Sequence, residues 1–226
     1  MTKNATFRFA LDQGVKLVGM AVILFWSAGT VNWWPGWALV LLTAGWTVAM
    51  IVILRDSPDL MAERLVPRKG AKRWDMAVVT AHGLVQFAVY VVGALDRRFG
   101  WTTSLPLAAQ LAALVTSCLS YALFAWAASS NPFFSLIVRI QTDRGHAVAT
   151  GGPYRLVRHP GYLGGILLSP SLGLLLGSWW AFSIGLVDSV LMVLRTRLED
   201  RDLRRELPGY SEYASQVRYR LLPGIW

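Results

Sequence analysis

Three stretches of this chain combine residue types and spacings that can do chemistry. The first, TGGPYRLVRHPGYLGG (Thr150–Gly165), sets Arg155, Arg158 and His159 directly before Pro160, followed by Tyr162 among Gly161, Gly164 and Gly165. Proline suits the first position of a helix, where its missing N–H costs nothing, and it holds the preceding His159 out of the helical region. The backbone N–H groups that follow are expected to lack helical acceptors and to face the loop. Together with the two arginines they form a site for a carboxylate or phosphate. The glycines leave room for a flat ligand beside Tyr162, or let neighbouring helices approach closely.

The second stretch is the tail from Arg195, in which Glu199 and Asp200 follow Arg195 and Arg197, and Tyr210 and Tyr213 come after them. Acids there suit ribose hydroxyls, an amine or a sulfonium. A purely structural alternative is an i,i+4 ion pair between Arg195 and Glu199. The third feature is Asp188, a carboxylate inside an apolar run, which is costly and calls for a partner; Arg195, two turns on, shares its helical face. His82 and Gln86 share a face of another apolar run, as interhelical hydrogen-bonding groups or as the lining of a substrate cavity.

Other chemistries lack their residues. The histidines His82, His146 and His159 are far apart, there is no HExxH, and Cys118 is a lone cysteine, so no metal cage or disulfide framework is expected. Neither a GxGxxG fingerprint nor a phosphate-cradling Walker loop is present. Asp and Glu are scarce within the apolar runs, which speaks against an ion pump.

The elements that must position these residues are membrane helices. The 226 residues are 54% hydrophobic and 15% charged, whereas a soluble domain is about a quarter charged. The apolar residues gather in runs of about 20, the length that crosses a hydrocarbon core. Six runs are expected to be helical: 14–31, 34–54, 76–95, 104–128, 160–176 and 178–194. The last two are short, with Pro170 interrupting the first of them, and a count of five full spans plus a partial one is the alternative. The first run starts near Gly14 and has spanning length, so no cleavable signal peptide is expected.

Of the 22 Lys and Arg residues, all but Arg97 and Arg98 fall on one side of an even number of spans. This places both termini in the cytoplasm and accounts for the net charge of +9 without nucleic acid. Trp33, Trp34 and Trp37 at one turn, and Trp179 and Trp180 at another, read as interfacial anchors. The chain is expected to be one all-α integral-membrane domain, 1–226, with a four-helix part over 1–128 and a ligand-binding part over 129–226.

The motif residues resemble those of the isoprenylcysteine carboxyl methyltransferase family and its prokaryotic relatives. The first family block is matched without a gap by His146, Thr150, Gly152, Tyr154, Arg158, His159, Pro160, Tyr162 and Gly164, and the second by Arg195, Glu199, Asp200, Leu203, Tyr210, Tyr213 and Pro223. The resemblance runs from about Arg139 onward; the first four spans match only as hydrophobic helices. It implies a non-Rossmann, membrane-embedded methyltransferase, with S-adenosyl-L-methionine in a cytoplasm-facing pocket and a lipophilic acceptor arriving from the bilayer of a prokaryotic inner membrane.

On that resemblance the cofactor-binding residues are His146, Gly152, Tyr154, His159, Tyr162, Gly164, Glu199, Asp200, Tyr210 and Tyr213. Arg158 and Arg195 would orient the cofactor or an acceptor carboxylate. Two departures weaken transfer of detail: Asp200 stands where the family often has a second glutamate, and Pro208–Gly209 replaces a usual Phe–Gly. Carboxyl, thiol and amine acceptors all remain open. The competing readings are an NADPH-dependent membrane sterol-type reductase and a non-catalytic lipid-binding protein.

Overall fold

The computed structural model describes residues 2–55, 61, 64 and 70–226, without the side chains of residues 2–5. Arg68 and Lys69 of the basic loop therefore lie outside the described residues. Seven α-helices occur among those described: α1 (Thr2–Ala28), α2 (Trp34–Leu54), α3 (Arg73–Phe99), α4 (Leu107–Ser129), α5 (Pro160–Leu175), α6 (Trp179–Glu206) and α7 (Tyr210–Gln216). No strand is found among these residues. Four helices are long and apolar enough to cross a membrane: α1 from Thr6, α2, α3 and α4.

The helices form a ring. Helix α1 packs on α2 and α3, α3 on α6, α6 on α5, α5 on α4, and α4 on α2. Helix α5 also touches α2 and α3, so it packs against α2, α3, α4 and α6. One end of the ring is sealed by a close-packed apolar core that includes Leu24, Leu39, Val89, Leu172, Leu175 and Ala181, each at 0% exposure. At the other end lie the start of α3, the 130–159 loop and the chain's tail.

Several helix boundaries differ from the apolar runs because polarity does not end a helix unless a breaker does. Helix α6 continues twelve residues beyond Leu194 to Glu206, through residues of good helix propensity and with Arg204 reaching back to Asp200 at 3.2 Å. Helix α1 ends earlier than expected, at Ala28, because Gly29 takes a left-handed conformation (φ 68°).

Pro170 does not interrupt α5, which runs through it. Proline cannot donate to the Ile166 carbonyl one turn earlier, but the Ser189 hydroxyl on α6 donates to that carbonyl at 2.7 Å. This restores the lost bond from the neighbouring helix. Trp33 is also unlike an interfacial anchor: it turns into the core at 5% exposure, while Trp34, Trp37, Trp179 and Trp180 stay outward.

Helices α5 and α6 form a hairpin whose backbones nearly touch. A Cβ at Gly173 would lie 2.3 Å from the Phe182 nitrogen, and one at Gly185 2.6 Å from Pro170. Gly173→Ala should therefore cost about 1–3 kcal/mol by overpacking, seen as a lower unfolding temperature in detergent. Gly45→Ala, at a helical site with nothing within 4 Å, should leave that temperature unchanged or raise it.

Candidate active site

The tail is tied to the start of α5 by backbone and side chain together. Arg158 and His159 donate their N–H groups to the carbonyls of Tyr219 (3.0 Å) and Arg220 (2.9 Å). The Arg158 guanidinium donates twice to Asp200, at 2.7 and 3.3 Å, and to the carbonyls of Val217 and Arg218, both at 2.7 Å. Asp200, 1% exposed, also accepts from Tyr210 Oη (3.0 Å), Arg204 Nε (3.2 Å) and Arg220 Nε (2.9 Å), and lies 3.4 Å from His159 Nε2. Burial alone raises a carboxyl's pKa, but hydrogen bonds from His159, Arg158 and Arg220 overcome it and hold Asp200 far below the ordinary carboxylate range. The Tyr210 hydroxyl is pushed the other way, by burial first and by the Asp200 charge second.

Beside this knot opens a cavity of about 680 Å³, within the size range of small-molecule sites. At the tail end its walls include Tyr154, Tyr210, Tyr213, His146, His159 and Arg158. The Tyr213 hydroxyl donates to the Tyr154 carbonyl at 2.7 Å, and the Tyr210 and Tyr213 rings sit edge to face at 5.6 Å. Burial raises the pKa values of Tyr154 and Tyr213, so the aromatic wall is neutral. The pKa of His146 is lowered by burial and by the nearby Arg139 and Arg144; its Nδ1 accepts the Gln141 N–H at 3.2 Å.

Farther in stand Tyr162, Arg195 and Glu199. The Tyr162 hydroxyl donates to Glu199 Oε2, and the Arg195 guanidinium lies 5.3 Å from the centre of the Tyr162 ring. Arg195 does not pair with Glu199 along its own helix, nor with Asp188. Its Nε donates to Asp75 at 2.8 Å and its Nη2 to the Leu136 carbonyl at 2.8 Å. Asp75, fully buried in the first turn of α3, also accepts the Val138 N–H at 2.7 Å. Asp188 is paired with His82, Nδ1 to Oδ1 at 2.7 Å, and Gln86 accepts from Ser169 Oγ at 3.0 Å.

The anion-receptive helix start is narrower than the sequence implies, since the N–H groups of Tyr162 and Leu163 both turn back to the His159 carbonyl. Gly152 stands behind the wall, where a Cβ would fall 2.2 Å from Ser130 Oγ; at Gly164 it would fall 2.8 Å from the Ser120 carbonyl. These glycines thus serve backbone approach. Asp200 meets the cavity through its partners, not with a free oxygen. Sequence reasoning missed Asp75, Asn131 and Gln141. Asn131 Nδ2 donates to the Tyr154 hydroxyl at 3.3 Å, and Gln141, 1% exposed, bonds the Phe133 carbonyl at 2.7 Å. Asp75 carried one readable signal, an acid in a helix's first turn after a basic loop.

Fold and site together define an integral-membrane helical bundle with a buried aromatic and charged pocket built by its last helices and tail. Residues 111–205, from α4 to the end of α6, match the family model of the isoprenylcysteine carboxyl methyltransferase (ICMT) family. This agrees with the resemblance carried by the two motif blocks, although the matched region begins earlier and stops short of Tyr210 and Tyr213. The chain is also similar to the lamin-B receptor of Drosophila melanogaster, 32% identical over 102 residues. That stretch is 43% of this chain and 14% of the relative, so the chain spans only a small part of the relative's length.

Because the Asp200 pKa is lowered on folding, its contribution to stability is present above the unfolded value of 3.8 and is lost as pH falls below it. Asp200→Asn should unfold at a lower temperature than the parent at pH 7. The difference between the two should shrink as pH drops below about 4, measured by thermal unfolding in detergent.

Proposed function

We propose that this chain is an integral-membrane methyltransferase that uses S-adenosyl-L-methionine and acts on a lipophilic acceptor entering from the bilayer. The observation that carries the reading is a single cavity whose walls change along its length. Aromatic, acidic and guanidinium groups line the tail end, and α1, α2, α3 and α4 line the rest with large apolar side chains such as Phe9, Trp46, Met50 and Phe124 beside a few polar ones, among them Lys16, Thr43 and His82. A polar, cationic cofactor and an apolar acceptor can therefore meet in one enclosure. The match of α4 to α6 to the methyltransferase family supports the same conclusion.

The donor set fits the cofactor's chemistry. Tyr154, Tyr210 and Tyr213 offer neutral faces for adenine, and His159, Tyr162 and Glu199 offer donors and acceptors for the ribose and the amino group. When bound, the cofactor supplies an electrophilic methyl group on a cationic sulfur. The protein's task is alignment and exclusion of water, which can account for much of a transfer rate. Arg195, fixed by Asp75 and resting on Tyr162, orients the acceptor. Arg158 and Asp200 act from behind as positioning residues that hold the tail over the pocket. Residues 129–226 form the cofactor-binding part. The α5–α6 hairpin completes six spans, with both termini and the pocket on the cytoplasmic side.

Calorimetry on the purified protein decides between classes of ligand. S-adenosylhomocysteine should bind and NADPH should not; NADPH binding alone overturns the reading in favour of a reductase, and binding of neither leaves a non-catalytic lipid-binding protein. Arg195→Ala should lower methyl transfer to a lipid-extract acceptor about 100-fold with S-adenosylhomocysteine affinity kept. Arg195→Lys, which retains a charge beside Asp75, serves as the folded control and should recover part of the rate. Equal loss of affinity and rate would place Arg195 on the cofactor instead.

A further inference from the structure

The far end of the same cavity holds polar groups that the proposed reaction does not use. His82, Gln86 and Asp188 all line it. His82 and Gln86 are one turn apart on α3 and so share a face; Asp188 faces them from α6 at 0% exposure. Its Oδ1 is held by His82 Nδ1 at 2.7 Å, but its Oδ2 is buried with no hydrogen-bond partner. Gln86 has the complementary deficit. Its Oε1 accepts from Ser169, and its Nε2 is buried with no acceptor in hydrogen-bonding geometry, the Tyr90 hydroxyl being its polar neighbour. A buried polar atom left unmatched is costly, and most are matched by protein, water or ligand.

We propose that His82, Gln86 and Asp188 form a hydrogen-bonding subsite for a neutral hydroxyl carried by an elongated, mostly apolar ligand. This rests on the reading of the cavity as an acceptor site. The choice of group follows from donors and acceptors. A hydroxyl donates to Asp188 Oδ2 while accepting from Gln86 Nε2, so one group satisfies both. A carboxylate would set like charge against Asp188, an ammonium would leave the Gln86 N–H unmatched, and an ether could not donate. The position sets the ligand's length. Asp188 lies eleven residues before Glu199 on the continuous helix α6, about 16 Å along its axis. The hydroxyl is therefore remote from the end of the ligand that reaches Glu199 and Arg195.

Photo-crosslinking in lipid nanodiscs tests the subsite, using the full chain with diazirine-bearing dodecanol and its methyl ether. The alcohol should label peptides around His82 and Asp188 about tenfold more than the ether, the ratio expected when a hydrogen bond is lost. Asp188→Leu, which removes the acceptor of the hydroxyl proton, should bring that ratio close to one, and Gln86→Met should weaken labelling by both probes alike, while S-adenosylhomocysteine affinity stays at the parent level. Equal labelling by the two probes in the parent, or a preference that survives Asp188→Leu, overturns the subsite. The two readings fail separately. Alcohol preference in a protein that binds no S-adenosylhomocysteine upholds the subsite and removes the methyltransferase. Cofactor binding without the preference does the reverse.

Discussion

The carboxylate of Asp200 is the constraint on which the pocket depends. One negative charge, almost wholly buried, gathers Arg158 from the start of α5, Arg204 from its own helix, Arg220 from the tail and the hydroxyl of Tyr210 from α7. Desolvating a carboxylate is expensive, and the cost is recovered only when its lone pairs are taken up with good geometry. Here five donor groups do so, counting His159. The consequence is positional. The start of α5, some forty residues back, and three points within twenty residues of Asp200 must converge on two oxygens, and the side chains adjoining them, Tyr154, Tyr162, Glu199 and Tyr213, are thereby brought around one space.

The same logic recurs along α3 and α6, at successive depths. Lys72 and Trp74 hold Asp202, Asp75 holds Arg195, and His82 holds Asp188. For the buried Asp75–Arg195 pair, removing one member leaves an uncompensated charge in a low-dielectric surrounding, a loss of about 3–5 kcal/mol, and the three contacts together fix how α3 and α6 are rotated against each other. That rotation presents their polar sides inward at the tail end and leaves the far end to the apolar core around Leu172 and Leu175. A cavity with a polar mouth, large apolar side chains along its body and the His82–Asp188 pair farther in is what remains between.

Much of this was legible in the sequence, and the limits are physical. Apolar runs of spanning length gave α1 to α4, and Pro160 gave the first residue of α5. What could not be read was which partner a charge chooses. Spacing along one helix favoured Arg195 with Glu199, yet Asp75 lies 120 residues away in sequence and only the packing of α3 on α6 brings it near. Pro170 was misleading for the same reason: a missing N–H ends a helix only if nothing else reaches the orphaned carbonyl, and Ser189 does. Trp33 looked like its neighbours Trp34 and Trp37, but only the turn before α2 decides which ring points inward.

The division between framework and chemistry follows the chain. The family-matched region, 111–205, supplies α5, α6, Arg158, Asp200 and Arg195, whose partners reach beyond it to Asp75 on one side and to Tyr210, Val217, Arg218 and Arg220 on the other. The aromatic wall draws on Tyr210 and Tyr213 beyond it, and the apolar wall on α1, α2 and α3 before it. A ring of helices built this way can keep its central knot unchanged while the outer walls vary, because no charge pair at the knot depends on what Phe9, Trp46 or Met50 present to the cavity. Ligand choice is then a property of the flanking helices and the tail. Identical geometry at Asp200 is compatible with different acceptors, and on the proposed reading His82 and Gln86 on α3, with Asp188 about three turns from the knot on α6, discriminate between them.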